Sequence, residues 1–309
     1  MKTILQRLLR TTALAALAAG GFASIVGSGG GGGGGDPDPG NGGGPTNTPP
    51  TAVARVTGAA IAYAVTQLDS TGSSDADGRI ATRQWAYGDG STGSADSHVY
   101  KTAGTYTATL TVTDDKGDSA QASVNVTVAK CSAAGLADAA LSPFPTMCVQ
   151  TTAGEMVFEV FPQQAPLTTA NFLKYVDDGF YSDTLIHRVV RNFVIQGGGF
   201  TAGLTPKPPT YAPIALESSN GLKNTQYTLA MARTDQPNSA TSQFFVNLVD
   251  NPGLDFNEAT STAGYAVFGQ VISGNAVVDA LGNVATATVQ GNANVPVQDV
   301  VVRGITRLP

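Results

Sequence analysis

Residues 186–200 read IHRVVRNFVIQGGGF, and no other stretch decides as much about the fold. Val189, Val190, Val194 and Ile195 are β-branched and mark strand. Gly197, Gly198 and Gly199 admit a turn or bulge where a second backbone, or a ligand, must come close. Among these residues stand the cation Arg188, two aromatics, Phe193 and Phe200, and the amide Gln196. An arginine set among apolar neighbours is costly unless a polar group meets it, so Arg188 needs an internal partner or a substrate carbonyl. A substrate carbonyl is the expected partner.

The flanking residues change period twice. Residues 155–161 alternate, with Met156, Phe158 and Val160 on one face, as in a strand. From 165 to 176, APLTTANFLKYV takes helical spacing, with Phe172, Leu173 and Val176 on one face, Pro166 in the first turn and Gly179 as the stop. Downstream come TLAMART (228–234), SATSQFFVNLVDNPGLD (239–255) and GYAVFGQVISG (264–274). In this order, with NFLKYVDDGFY (171–181) and HRVVRNFVIQGGGF (187–200), the blocks resemble the cyclophilin family of peptidyl-prolyl isomerases, its bacterial periplasmic branch most of all. The resemblance covers 150–309. It implies an eight-stranded antiparallel β-barrel closed by two helices, with the substrate groove on the outer face.

The same resemblance implies roles for single residues. Arg188 matches the catalytic arginine. Phe193, Val194, Phe245 and Leu254 match the pocket that receives a proline ring, and Gln196 and Gln243 match the amides flanking the arginine. The backbone at Ala232 and Arg233 matches the edge that pairs with the substrate chain. His187 is expected to be structural rather than an acid or base. Three positions depart from the family pattern: Gly253 replaces a rim Trp or Phe, Tyr265 a His, and Arg233 the Asn of some members. The expected consequences are weak cyclosporin binding and a preference for acidic residues before the proline. The implied partners are proline-containing polypeptides, with no cofactor and no metal.

Such residues suffice because rotation about an X–Pro bond makes and breaks no bond to a heavy atom; what it needs is stabilisation of a twisted amide. Non-catalytic proline-peptide binding, or docking at a cell surface, is the alternative. Hydrolysis has no support: the only histidines are His98 and His187, with no G-x-S-x-G turn near either. The 197–199 glycines lack the Lys-Thr or Lys-Ser of a phosphate loop.

Residues 51–130 follow a period of two. Tyr106, Ala108, Leu110 and Val112 alternate with threonines, and Val124, Val126 and Val128 with polar neighbours. Turn residues fall between at 75–78, 88–90 and 114–117, which predicts a small antiparallel sandwich. LDSTGSSDADG (68–78), QWAYGDGS (84–91) and HVYKTAGTYTATLTVTDDKG (98–117) together resemble a PKD domain, an immunoglobulin-like module. Trp85 is then the core aromatic, beside a strand edge holding His98 and Tyr100. Asp75 and Asp77 precede Gly78 as in a calcium loop, but Ser73 and Gln84 occupy the outer ligand positions, so turn formation explains them. A protein or carbohydrate partner for this module is open. No exposed aromatic row marks a sugar site, so a spacer role is preferred.

The remaining segments connect and address these parts. Lys2, Arg7 and Arg10 precede an apolar run from Thr11 to Val26, so residues 1–27 read as an export signal, with a retained membrane anchor as the alternative. A soluble protein of the bacterial periplasm or cell surface is expected. Residues 28–50, rich in Gly and Pro, read as a disordered tether, and 131–149 as a hinge. Export favours a disulfide between Cys131 and Cys148 over two free thiols. The formal charge of −6 includes no basic run, which argues against nucleic acid as a partner. A monomer is expected.

Overall fold

The structure, a computed structural model, describes residues 46–309. The signal-like stretch and most of the tether lie outside the described residues. Eight strands come first: β1 (Arg55–Thr57), β2 (Ala60–Ile61), β3 (Val65–Asp69), β4 (Ile80–Ala86), β5 (Thr92–Gly93), β6 (Ser97–Val99), β7 (Gly104–Asp114) and β8 (Ser119–Ala129). They form two sheets, ordered β1-β3-β6 and β2-β8-β7-β4-β5. The alternation works as expected: Ala108, Leu110 and Val112 of β7 and Val124, Val126 and Val128 of β8 are buried. Trp85 is fully buried, and its indole N–H donates to Asp96 Oδ1 at 2.8 Å. The other Asp96 oxygen accepts the Ser70 hydroxyl at 2.8 Å, so both oxygens of this carboxylate are paired.

The aspartates here build turns. Asp114 Oδ1 accepts the backbone N–H groups of Lys116, Gly117 and Asp118 at 2.9, 2.7 and 2.9 Å, and Asp77 pairs with Lys116 at 2.6 Å. Their oxygens also draw in the end of the expected tether. Asn47 donates to Asp114 and Asp118 at 2.8 Å each, and Pro50 is buried. Ordered packing therefore begins before residue 51.

The expected hinge, 131–149, is a second correction. It contains helix α1 (Ala133–Ala139), capped by the Ser132 hydroxyl, and the first part of strand β9 (Thr146–Thr151). All six residues of β9 are buried, Met147 and Val149 in the main core and Cys148 on the other face with Cys131 and with Ala139 of α1. With no solvent-facing side it shows no polar alternation, the signal by which strands are recognised. Cys131 and Cys148 form a disulfide with Cα atoms 5.7 Å apart, joining the start of α1 to β9.

The remaining elements are β10 (Gly154–Val160), α2 (Pro166–Asp177), β11 (Thr184–Val190), β12 (Val194–Thr201), β13 (Thr205–Pro206), β14 (Thr228–Met231), β15 (Phe244–Asn247), β16 (Val267–Ser273), α3 (Asn275–Gly282), β17 (Thr286–Val289), β18 (Asn292–Pro296) and β19 (Val301–Arg307). Eight strands run β11-β19-β9-β10-β16-β14-β15-β12, and pairing of β11 with β12 closes them into an antiparallel barrel. β13 extends β12, and β17–β18 form a separate hairpin. Helix α2 supplies Phe172, Tyr175 and Val176 to the core, and α3 supplies Val278 and Leu281. Ala165 gives α2 no side-chain cap; instead the Glu217 carboxylate, from a distant loop, accepts the N–H groups of Leu167 and Thr168 at 3.0 and 2.7 Å. No helix among the described residues is long and apolar enough to cross a membrane.

Strand alternation then yields apolar residues on both faces. Ile195, Leu229, Phe244, Val246 and Phe268 belong to the main core, whereas their neighbours Val194, Ala230, Phe245 and Val267 form a second cluster. Phe193, Ala232, Leu254 and Tyr265 pack against that second cluster. An apolar patch on the far side of a filled barrel needs a reason other than core packing.

Candidate active site

Arg188 reaches this patch because β11 is irregular. Ile186 and Val189 both enter the main core although they are three residues apart, an odd step that a regular strand cannot make. The pairing with β12 shifts between Ile186 and Arg188, and this bulge puts Arg188 beside Gln196. Its Nη1 donates to Gln196 Oε1 at 3.3 Å, and Gln196 Nε2 donates to Gln243 Oε1 at 2.9 Å. An amide pair thus holds the guanidinium on one side and leaves its other donors for a ligand.

The three glycines make this possible, though not as a turn. All lie inside β12. A Cβ on Gly199 would lie 2.5 Å from Gln243 Cδ, so the glutamine side chain crosses the strand where glycine leaves room. Gly198 takes φ +84°, a conformation that side-chain-bearing residues avoid.

Nine of the residues expected at the site line one cavity of about 150 Å³: Arg188, Gln196, Ala232 and Arg233 on the polar side, with Phe193, Val194, Phe245, Leu254 and Tyr265 as apolar walls. Gln243 is displaced from it. It lines an adjoining cavity of about 140 Å³ that shares Gln196, Ala232 and Arg233. The Arg233 guanidinium donates to the carbonyls of Gly264 and Thr234 and lies 4.5 Å over the Tyr265 ring. Its charge therefore stays on the pocket wall while three of its donors are engaged. Gly253 has nothing within 4 Å of where a Cβ would stand, so the rim beside Leu254 is open.

His187 is turned away from this chemistry. It is buried, its ring 4.6 Å from that of Phe200. Burial lowers its pKa to about 4; the neighbouring Arg188 charge adds to this, and a hydrogen bond with the Leu185 backbone opposes it. The imidazole is neutral at pH 7 and takes no part as an acid. Because the unfolded chain binds this proton more readily, stability is full above pH 6.5 and is lost as pH falls toward 4, by about 3 kcal/mol from this group. Replacing His187 by Leu should flatten that part of the profile. Urea midpoints that fall equally for both proteins between pH 7 and pH 4.5 would show that His187 is not the source.

Sequence reasoning missed the asparagines behind the pocket. Asn247 and Asn224 are almost fully buried, and Asn251 nearly so. The available signal was a polar residue within the apolar run FFVNLV.

Known proteins share this arrangement. Residues 146–307 match the family described as cyclophilin type peptidyl-prolyl cis-trans isomerase/CLD, and residues 47–128 match the PKD domain. The chain is 49% identical over 158 residues to peptidyl-prolyl cis-trans isomerase cyp18 of Streptomyces antibioticus, covering 51% of this chain and 95% of that protein. It is 48% identical to peptidyl-prolyl cis-trans isomerase B of Escherichia coli, covering 50% of this chain and 95% of the relative. A crystal structure of a Cryptosporidium parvum cyclophilin in the presence of dipeptide Ala-Pro is 26% identical with a TM-score of 0.46, covering 53% of this chain and 99% of that one.

Proposed function

This chain belongs to the cyclophilin-type peptidyl-prolyl cis-trans isomerase family, and from that premise we propose how its residues turn an X–Pro bond and on which polypeptides they act. The planar amide resists rotation by ~18–20 kcal/mol because resonance is lost. In the twisted state the proline nitrogen regains its lone pair and becomes an acceptor. The proline ring enters between Phe193, Phe245 and Leu254, which places that nitrogen and the adjacent carbonyl within reach of Arg188. A guanidinium already oriented by Gln196 binds the twisted amide better than either planar form, and that difference is the catalysis. Each ~1.4 kcal/mol of preference is tenfold in rate. No proton is transferred, in keeping with a neutral His187.

The observation carrying this reading is the Arg188 guanidinium, braced by an amide pair, in one cavity with the apolar walls Phe193, Phe245 and Leu254. Its test is a protease-coupled isomerisation assay of the full chain beside Arg188→Ala. A fragment starting at residue 150 would cut β9, which begins at Thr146.

The substrates we assign are exported polypeptides, in a periplasm or at a cell surface. The signal-like residues 1–27 support this, as does the Cys131–Cys148 disulfide, a bond characteristic of oxidising compartments. The cavity is complete within one chain, so a monomer suffices. To the PKD region we assign a spacer or docking role, since its only tryptophan is buried and offers no ring to a sugar.

The open rim has a pharmacological consequence. Cyclosporin should bind weakly, and Gly253→Trp, whose Cβ meets no neighbour within 4 Å, should strengthen binding about tenfold or more by restoring an aromatic wall. Nanomolar inhibition of the unaltered chain would refute this.

A further inference from the structure

We propose that Asn224, Asn247 and Asn251 are positioning residues for isomerisation: a buried line of side-chain amides that fixes one pocket wall, Phe193, against the other, Leu254. The inference rests on the isomerase reading and deepens it.

The two walls are not joined by a strand ladder. Phe193 sits in the turn before β12, and Leu254 ends a short 3₁₀ turn, Pro252–Leu254. Each offers its carbonyl to one backbone N–H, of Leu248 for Phe193 and of Tyr265 for Leu254, and also to an asparagine. Phe193 O accepts Asn251 Nδ2 at 3.0 Å, and Leu254 O accepts Asn224 Nδ2 at 3.1 Å. Asn247 connects the two. Asn251 Nδ2 donates to Asn247 Oδ1 at 2.8 Å, and Asn247 Nδ2 donates to Asn224 Oδ1 at 3.3 Å and to Thr228 Oγ1 at 2.9 Å. Asp255 anchors the far end, accepting the Asn224 backbone N–H at 2.8 Å while Lys223 lies 3.6 Å from its other oxygen.

Asn247 is completely buried in a strand whose other residues are apolar, the place where an unpaired amide would be most costly. Satisfied amides have a property that an apolar filling lacks: their donors and acceptors match in one arrangement only. The open rim gives that property a use. A Cβ at Gly253 would meet nothing within 4 Å, so the Leu254 turn is held by its backbone bonds to Asn251 and Tyr265 and by the Asn224 amide. Displacing a reacting group by about 1 Å can cost ~100-fold in rate.

The test uses the full chain with Asn224→Ala, Asn251→Ala and the double variant, measured in the cold where melting curves show each to be folded. Expected for each single variant is a kcat about tenfold lower, while affinity for an Ala-Pro tetrapeptide, read by NMR titration, changes less than about twofold. A merely destabilising change would leave both constants of the folded protein alone. The double variant should lose no more than the worse single, and Asn224→Ala should move the Phe193 amide resonance, which it does not touch. Singles with wild-type kcat, or losses that multiply in the double, would overturn the proposal. Should Asn224→Ala not fold, kcat of Asn251→Ala decides alone. If the unaltered chain is no faster than Arg188→Ala, it is the isomerase reading that fails.

Discussion

Arg188→Ala should slow X–Pro isomerisation by the full chain about 100-fold, the usual loss when one preorganised donor to a transition state is removed. The side chain is only part-buried and its hydrogen bond to Gln196 is long, at 3.3 Å, so melting temperature should hardly change. Gln196 keeps its bond to Gln243, and the apolar walls stay in place. Peptide binding should therefore survive while turnover falls, the pattern of an interaction made chiefly in the transition state. Arg188→Lys should recover only a fraction. An ammonium keeps the charge but not the planar fork that can bond Gln196 and a substrate together. Equal rates for the unaltered chain and Arg188→Ala would remove the mechanism.

Trp85→Ala should cost the sandwich about 3–5 kcal/mol, seen as a transition at lower temperature by calorimetry. The indole is fully buried, and its loss leaves both a cavity and an Asp96 oxygen without its N–H partner. Trp85→Phe separates these effects: it fills most of the volume but still strands the carboxylate, at a cost of about 1–3 kcal/mol. If neither variant moves any transition, Trp85 does not organise that core.

The site was legible because its residues lie in ordered blocks whose types carry the chemistry. HRVVRNFVIQ places Arg188, Val194 and Gln196 on two adjacent strands and Phe193 in the turn between them, and SQFF with NPGLD supplies Gln243, Phe245 and Leu254. The errors have physical causes as well. Strand β9 has no polar face and was taken for a hinge. Of the turn or bulge expected at the 197–199 glycines the structure has the bulge, opposite Ile186 and Arg188, and the missing Cβ at Gly199 makes room for Gln243. Gln243, matched to the amides flanking the arginine, bonds Gln196 and lines the adjoining cavity. Glu217 could not have been recognised as the cap of α2, because capping signals are sought within a few residues of the helix start.

By itself the sequence determined most strands and α2 through periodicity, and its resemblance to a family named the residues expected around Arg188. Which way that cation points was decided only by the tertiary structure. In a regular strand Arg188 would share the face of Ile186 and enter the core; one bulge against β12 reverses it. Such a reversal depends on pairing with a neighbour, which local periodicity does not encode. The same holds for the asparagines behind Phe193 and Leu254. Their amides are costly in an apolar interior until the fold brings residues 193, 224, 247, 251 and 254 together, and only then do they become a brace.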